Sequence, residues 1–98
     1  MEINNWPFYD NPNVMVITTK NIINKKSPIL IVLHDADDAM WQFLDGSDIV
    51  DEDAAIVSLE EIFNIDNTIK EVADLQLGSF AWREQANSDW IKQSENMS

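Results

Sequence analysis

The chain has 98 residues, with 18 acidic against 6 basic side chains, a formal net charge of −12 and an isoelectric point near 4.1. That length excludes a second core, because domains run to about 100–200 residues, and an apolar fraction of 45% with four Trp, four Phe and one Tyr is too rich for a disordered acidic chain. The lack of Cys excludes disulfides, thiolate zinc sites and cysteine nucleophiles together, and the charge speaks against nucleic acid and anionic membranes, which are held largely through Lys and Arg.

Residues 1–13 mix Trp6, Pro7, Phe8, Tyr9 and Pro12 with Asn and Asp. This disfavours a helix and predicts an extended arm whose aromatic rings pack on the domain. The opening residues have no basic region followed by an apolar run, and the longest strongly apolar stretch, residues 29–33, is far below a membrane span. A soluble, cytoplasmic protein is the expectation.

Residues 14–18 are branched and apolar and read as a first strand, and the turn cluster Asn24-Lys25-Lys26-Ser27-Pro28 leads into a second at residues 29–33. So short a connection predicts antiparallel neighbours. The second strand is apolar on both alternating faces, which predicts a central strand covered on both sides. Residues 40–44 form a third, with Trp41 and Phe43 on one face.

Asp45-Gly46-Ser47-Asp48 has turn chemistry, and a charged loop to Asp53 precedes a fourth strand at residues 54–57. Ser58-Leu59-Glu60-Glu61 has capping-box spacing, so a short helix starts at Leu59 with Leu59, Ile62 and Phe63 on one face. Asp66 caps a second, carrying Ile69, Val72 and Ala73. Neither stands alone in water, so each lays its apolar face on the sheet. Gly78 ends the second helix, Phe80 and Trp82 share a face of a last strand at residues 79–83, and Trp90 and Ile91 interrupt an otherwise polar tail.

The fold class is therefore α+β: a largely antiparallel sheet of about five strands with two short helices packed on it. Residues 1–13 form the arm, 14–91 the single domain, and 92–98 a frayed tail.

The most unusual segment runs from residue 27 to 69 and has no Lys or Arg before Lys70. It carries Asp35, Asp37, Asp38, Asp45, Asp48, Asp51, Glu52, Asp53, Glu60, Glu61 and Asp66. One reading is solubility. The other is a docking surface for a basic partner, formed by Asp35, Asp37 and Asp38 in one loop and Asp45, Asp48, Asp51, Glu52 and Asp53 in another. Such clusters speed encounter by about 10–10³-fold, an effect that salt erases. Trp41 lies between these loops in sequence, either as an aromatic anchor or as core.

The EF-hand pattern fails at its fifth and sixth places after both Asp35 and Asp45, and one His without Cys is a poor transition-metal set. No cofactor is expected. His34 and Asp35 are strand neighbours that point to opposite faces, so a general-base role is disfavoured. With no nucleophile motif, phosphate loop or zinc-protease motif either, no enzyme is expected. Arg83, the sole Arg, reads as the partner of a surface carboxylate.

Val14-Met15-Val16-Ile17-Thr18, Ile29-Leu30-Ile31-Val32-Leu33, Asp38-Ala39-Met40-Trp41-Gln42-Phe43-Leu44-Asp45-Gly46, Ile56-Val57-Ser58-Leu59-Glu60-Glu61-Ile62 and Leu77-Gly78-Ser79-Phe80-Ala81-Trp82 occur in that order. This succession resembles the bacterial domain-of-unknown-function family 2185, grouped with immunity proteins of polymorphic toxin systems. Its most specific word is acid-x-x-Trp-x-Phe-x-acid-Gly, and the chain departs from the family's pattern at residues 34–37. The resemblance implies a small α+β domain that neutralises a cognate toxin without catalysis, and it brings no functional residue with it. The expected partner is a basic protein, such as a toxin domain. The rival expectation is a structural or housekeeping domain that self-associates as a weak homodimer through a sheet edge or an aromatic patch.

Overall fold

A computed structural model of the chain describes residues 6–47 and 51–94. Six strands, β1 (Met15–Thr19), β2 (Ile31–His34), β3 (Trp41–Leu44), β4 (Ala54–Ser58), β5 (Ser79–Trp82) and β6 (Ile91–Ser94), form one sheet in the order β4-β1-β3-β2-β5-β6. Every pairing is antiparallel except β1 with β3. Two helices, α1 (Lys20–Ile23) and α2 (Leu59–Ile65), and two 3-10 turns, Asp51–Asp53 and Asn67–Val72, complete an α+β fold.

The first two strands are not neighbours, contrary to what their short connection predicts. Thr19 caps α1 by accepting the Ile22 N–H, and Lys25 turns the chain at φ 62°. This excursion leaves room for β3 to slot in beside β1. The Thr18 hydroxyl, buried in the sheet, donates to the Phe43 carbonyl at 2.8 Å and ties these two parallel strands together.

The capping signals act where the sequence places them. Ser58 accepts the Glu61 N–H at the start of α2. Asp66 accepts the Thr68 N–H, but the segment it starts is a 3-10 helix. A sixth strand, β6, incorporates Lys92–Ser94, which the sequence assigns to the tail; residues 95–98 of that tail lie outside the described residues.

The core lies on one face of the sheet. Val16, Val32, Phe43, Trp41 and Ala81 meet Ile22 of α1, Leu59 and Ile62 of α2, and Ile69, Val72 and Leu75 around the second 3-10 turn. Arm residues join the same core: Phe8 is buried edge-on to Trp41, and Trp6 is edge-on to Phe63. Tyr9 is fully exposed, so not every arm aromatic packs on the domain.

Arg83 corrects the expectation of a surface ion pair. Its side chain is 1% exposed. The guanidinium donates to the Ile29 carbonyl at 3.0 Å, to the Thr68 hydroxyl at 3.0 Å and to the Asp66 carboxylate at 2.7 Å, and it lies 4.1 Å from the Trp90 ring centroid. One residue thus joins β5, the residues before β2, the second 3-10 turn and the approach to β6.

Candidate docking surface

The strand patterns explain why a second apolar face exists. β1, β2 and β5 carry apolar residues at both odd and even positions, so the side chains that alternation buries on one side have apolar counterparts on the other. The buried residues of every described helix join the first core. The second face therefore has no helix over it among the described residues. β2 is inner, as expected, but covered by helices on one side only.

Cross-strand register lays out this face. One row runs Ile56, Ile17, Gln42, Leu33, Phe80 and Gln93, and a second runs Leu44, Ile31, Trp82 and Ile91. Ile56 is 62% exposed, Met15 51% and Ile91 46%, while Ile17, Ile31, Leu33, Phe80 and Trp82 are half-buried and Leu44 is buried. Both rows are apolar except at Gln42 and Gln93, and a large apolar face left open to solvent marks an interaction site more often than a solvated wall.

The acidic loops stand at opposite ends of the face. β3 enters from residues 35–40 and leaves into residues 45–53, so four strand residues, about 13 Å, separate them. That span exceeds the screening length of about 8 Å at physiological salt. The two loops thus act as separate charge clusters rather than one patch. Asp35 is half-buried and accepts from Gln42 Nε2 at 2.8 Å, which places its carboxylate at the margin of the apolar face. Asp37 and Asp38 are exposed, and Asp38 accepts the Met40 N–H.

At the other end Asp45 accepts from both the hydroxyl and the N–H of Ser47, which lowers its pKa below the ordinary value of 3.8 against a smaller opposing effect of burial. Gly46, at φ +87°, lets this turn fold back toward Ile31, whose Cδ1 would lie 3.8 Å from an added Cβ. Asp51, Glu52 and Asp53 are exposed in their 3-10 turn. Asp48 lies outside the described residues.

Trp41 does not serve as an anchor between these loops. It is 3% exposed, its indole N–H donates to Asp10 Oδ2 at 2.7 Å, and its ring faces the core beside Phe43. The residues the sequence reading missed are the apolar ones of the opposite face. Their signal in the sequence is the apolar character of both alternating faces of residues 29–33, a pattern that a strand covered on both sides shares with one that keeps an open apolar face.

His34 stacks on Trp41 with ring centroids 3.8 Å apart, and its Nδ1 is 2.8 Å from the Leu75 carbonyl oxygen. A carbonyl only accepts, so Nδ1 carries the proton and the ring is held as a structural donor. It lines neither of two surface concavities, one of ≈ 390 Å³ between residues 25–29 and Ile65-Asp66, the other of ≈ 290 Å³ between residues 74–79 and 92–94. No three metal-ligating side chains converge among the described residues, and no described helix is long and apolar enough to cross a membrane.

No protein-family description, no curated protein and no solved structure matches the chain.

Proposed function

We propose that this chain is a non-enzymatic binding protein that takes a basic protein partner on the open face of its sheet. The reading extends to an immunity-like role, in which the partner is a toxin domain neutralised by occupation. The observation that carries it is the juxtaposition of Ile17, Leu33, Phe80 and Trp82 on an uncovered face with carboxylates at both of its ends. Apolar burial supplies affinity there, and the carboxylates supply steering and selection for positive charge.

Affinity capture from the source cell's lysate, at low and at moderate salt, tests it. A basic protein retained at low salt and released at moderate salt is the expected result; no retained basic protein at either salt removes the reading.

The rival reading is self-association without a toxin partner, and the exposed Ile56 and Ile91 on the two outer strands favour it. Two chains of charge −12 repel, however, so a dimer has to overcome that repulsion in addition to ordering its interface. Light scattering at high protein concentration separates the two: a monomer removes self-association.

A further inference from the structure

β4 is an outer strand, and its ladder with β1 decides which of its backbone groups are free. The Leu59 N–H donates to the Val14 carbonyl at 2.8 Å, so Val14 and Leu59 form a hydrogen-bonded pair. Hydrogen-bonded and open pairs alternate along an antiparallel ladder. By the observed register, Val16 with Val57 and Thr18 with Ala55 are then the bonded pairs. Ile56, opposite Ile17, therefore turns both its N–H and its C=O away from β1, with the Ala54 C=O and the Ser58 N–H beside them. No described residue bonds to Ile56 on that side.

The stretch Ala54-Ala55-Ile56-Val57-Ser58 contains no charge and no proline. Outer strands with neither device are templates for strand addition. The charges stand instead at its two ends: Asp51, Glu52 and Asp53 before it, and Glu60 and Glu61 after it, all exposed. They select the occupant. A second copy pairing antiparallel about Ile56 brings the Asp51–Asp53 turn of each copy to the end of the strand where the other carries Glu60 and Glu61, and like charges brought together are destabilising.

We propose that the β4 edge receives an extended segment of a partner protein as a seventh strand, and that this segment has a β-branched centre with Lys or Arg at both ends. The guest residue opposite Ile56 falls on the same face as Ile56 and Ile17, so its side chain lengthens the open apolar row. The inference rests on the reading of the chain as a binder of basic proteins, and it adds the backbone that grips them.

The test uses a capped peptide of sequence Lys-Arg-Thr-Val-Thr-Val-Thr-Lys-Arg, a twin with Glu at the four charged places, and amide hydrogen exchange followed by NMR. Saturating basic peptide is expected to slow exchange of the Ile56 amide at least tenfold, to leave Val57 unchanged, and to do so only at low salt; the Glu twin does not bind. Ile56→Pro deletes the outward N–H, a change that outer strands tolerate, together with the isoleucine side chain, so Ile56→Ala is the control that removes the side chain alone. With the fold intact, Ile56→Pro is expected to bind at least tenfold more weakly than Ile56→Ala. If circular dichroism shows that Ile56→Pro fails to fold, peptide N-methylated at its central Val-Thr-Val residues against the unmodified protein serves instead, with the same loss expected. Unchanged Ile56 exchange, equal binding by the blocked pair, or no binding at about 1 mM peptide overturns the proposal. A basic protein captured at low salt that Ile56→Pro still retains overturns strand addition alone, whereas no salt-sensitive basic partner at all overturns the underlying reading.

Discussion

The indole N–H of Trp41 donates to the carboxylate of Asp10 at 2.7 Å, and this bond fastens the arm to the third strand. The Trp6 indole N–H in turn donates to the Asp10 carbonyl at 2.7 Å, so Asp10 holds two rings at once. Phe8 then fits edge-on against Trp41, with centroids 5.2 Å apart.

Asp10→Ala is expected to leave the buried Trp41 N–H without its partner and to cost about 1–3 kcal/mol. Urea unfolding measures the loss, and a red-shifted Trp emission reports release of the arm. A stability unchanged within error shows that the arm is not part of the cooperative unit.

Asp66→Asn leaves the Arg83 guanidinium buried without a carboxylate, and about 3 kcal/mol of destabilisation is expected, the low end for a broken buried pair because Asp66 keeps 21% exposure. Asp66→Asn with Arg83→Met is expected to lose less than the sum of the two single changes, since both members of the pair are then gone. A double-mutant cycle on unfolding free energies reads the coupling; strict additivity contradicts the pairing.

The Lys92–Asp74 pair is a contrast, with 41% and 76% of the two side chains exposed. The hydrogen bond from Lys92 holds Asp74 below its ordinary value of 3.8, more than burial raises it. A depressed folded-state pKa gives stability that is present above the unfolded value and lost as pH falls through the folded one. Asp74→Asn is therefore expected to cut the acid dependence of stability below about pH 4, with a change at neutral pH of at most about 0.5 kcal/mol because solvent screens the pair. A loss several times larger shows the pair to be less screened than its exposure implies.

Changing Asp37, Asp38, Asp51 and Asp53 to Asn is expected to slow association with a basic partner severalfold at low salt and hardly at all at high salt, since steering acts on the on-rate. Circular dichroism of the quadruple variant is expected to match the parent, because none of the four carries a structural bond beyond the turn at Asp38. An unchanged on-rate at low salt rejects steering by these loops.

Local signals in this sequence are legible and nonlocal ones are not. The Ser58 and Asp66 caps are written within three residues, and both form. Four of the five expected strands appear at their expected residues to within one position, and the second starts two residues later than expected because its first residues, Ile29 and Leu30, lead in from the turn. The exchange of neighbours was hidden because α1, with four residues, is too short to show a helical period, and the β1–β3 pairing depends on contacts such as Thr18 to Phe43, distant in sequence. β6 was missed because Ile91-Lys92-Gln93-Ser94 has a single apolar residue. It is held from outside, by β5 on one side of each residue and by Lys92 on Asp74. Burial of Arg83 left no trace in its neighbours either, since its carboxylate partner is 17 residues away. At the candidate docking surface the carboxylates are legible as charge, whereas the open apolar face needs the placement of the helices.

The most direct measurement is the dissociation rate of a captured basic partner from the parent chain and from the variant Met15→Thr, Ile56→Thr, Ile91→Thr. All three positions are exposed on the open face, and threonine retains strand propensity, so the fold is expected to persist. Dissociation at least about tenfold faster from the variant, with an unchanged melting temperature, is the predicted result. Equal dissociation rates would mean that the partner docks elsewhere and that the open face is not the binding surface.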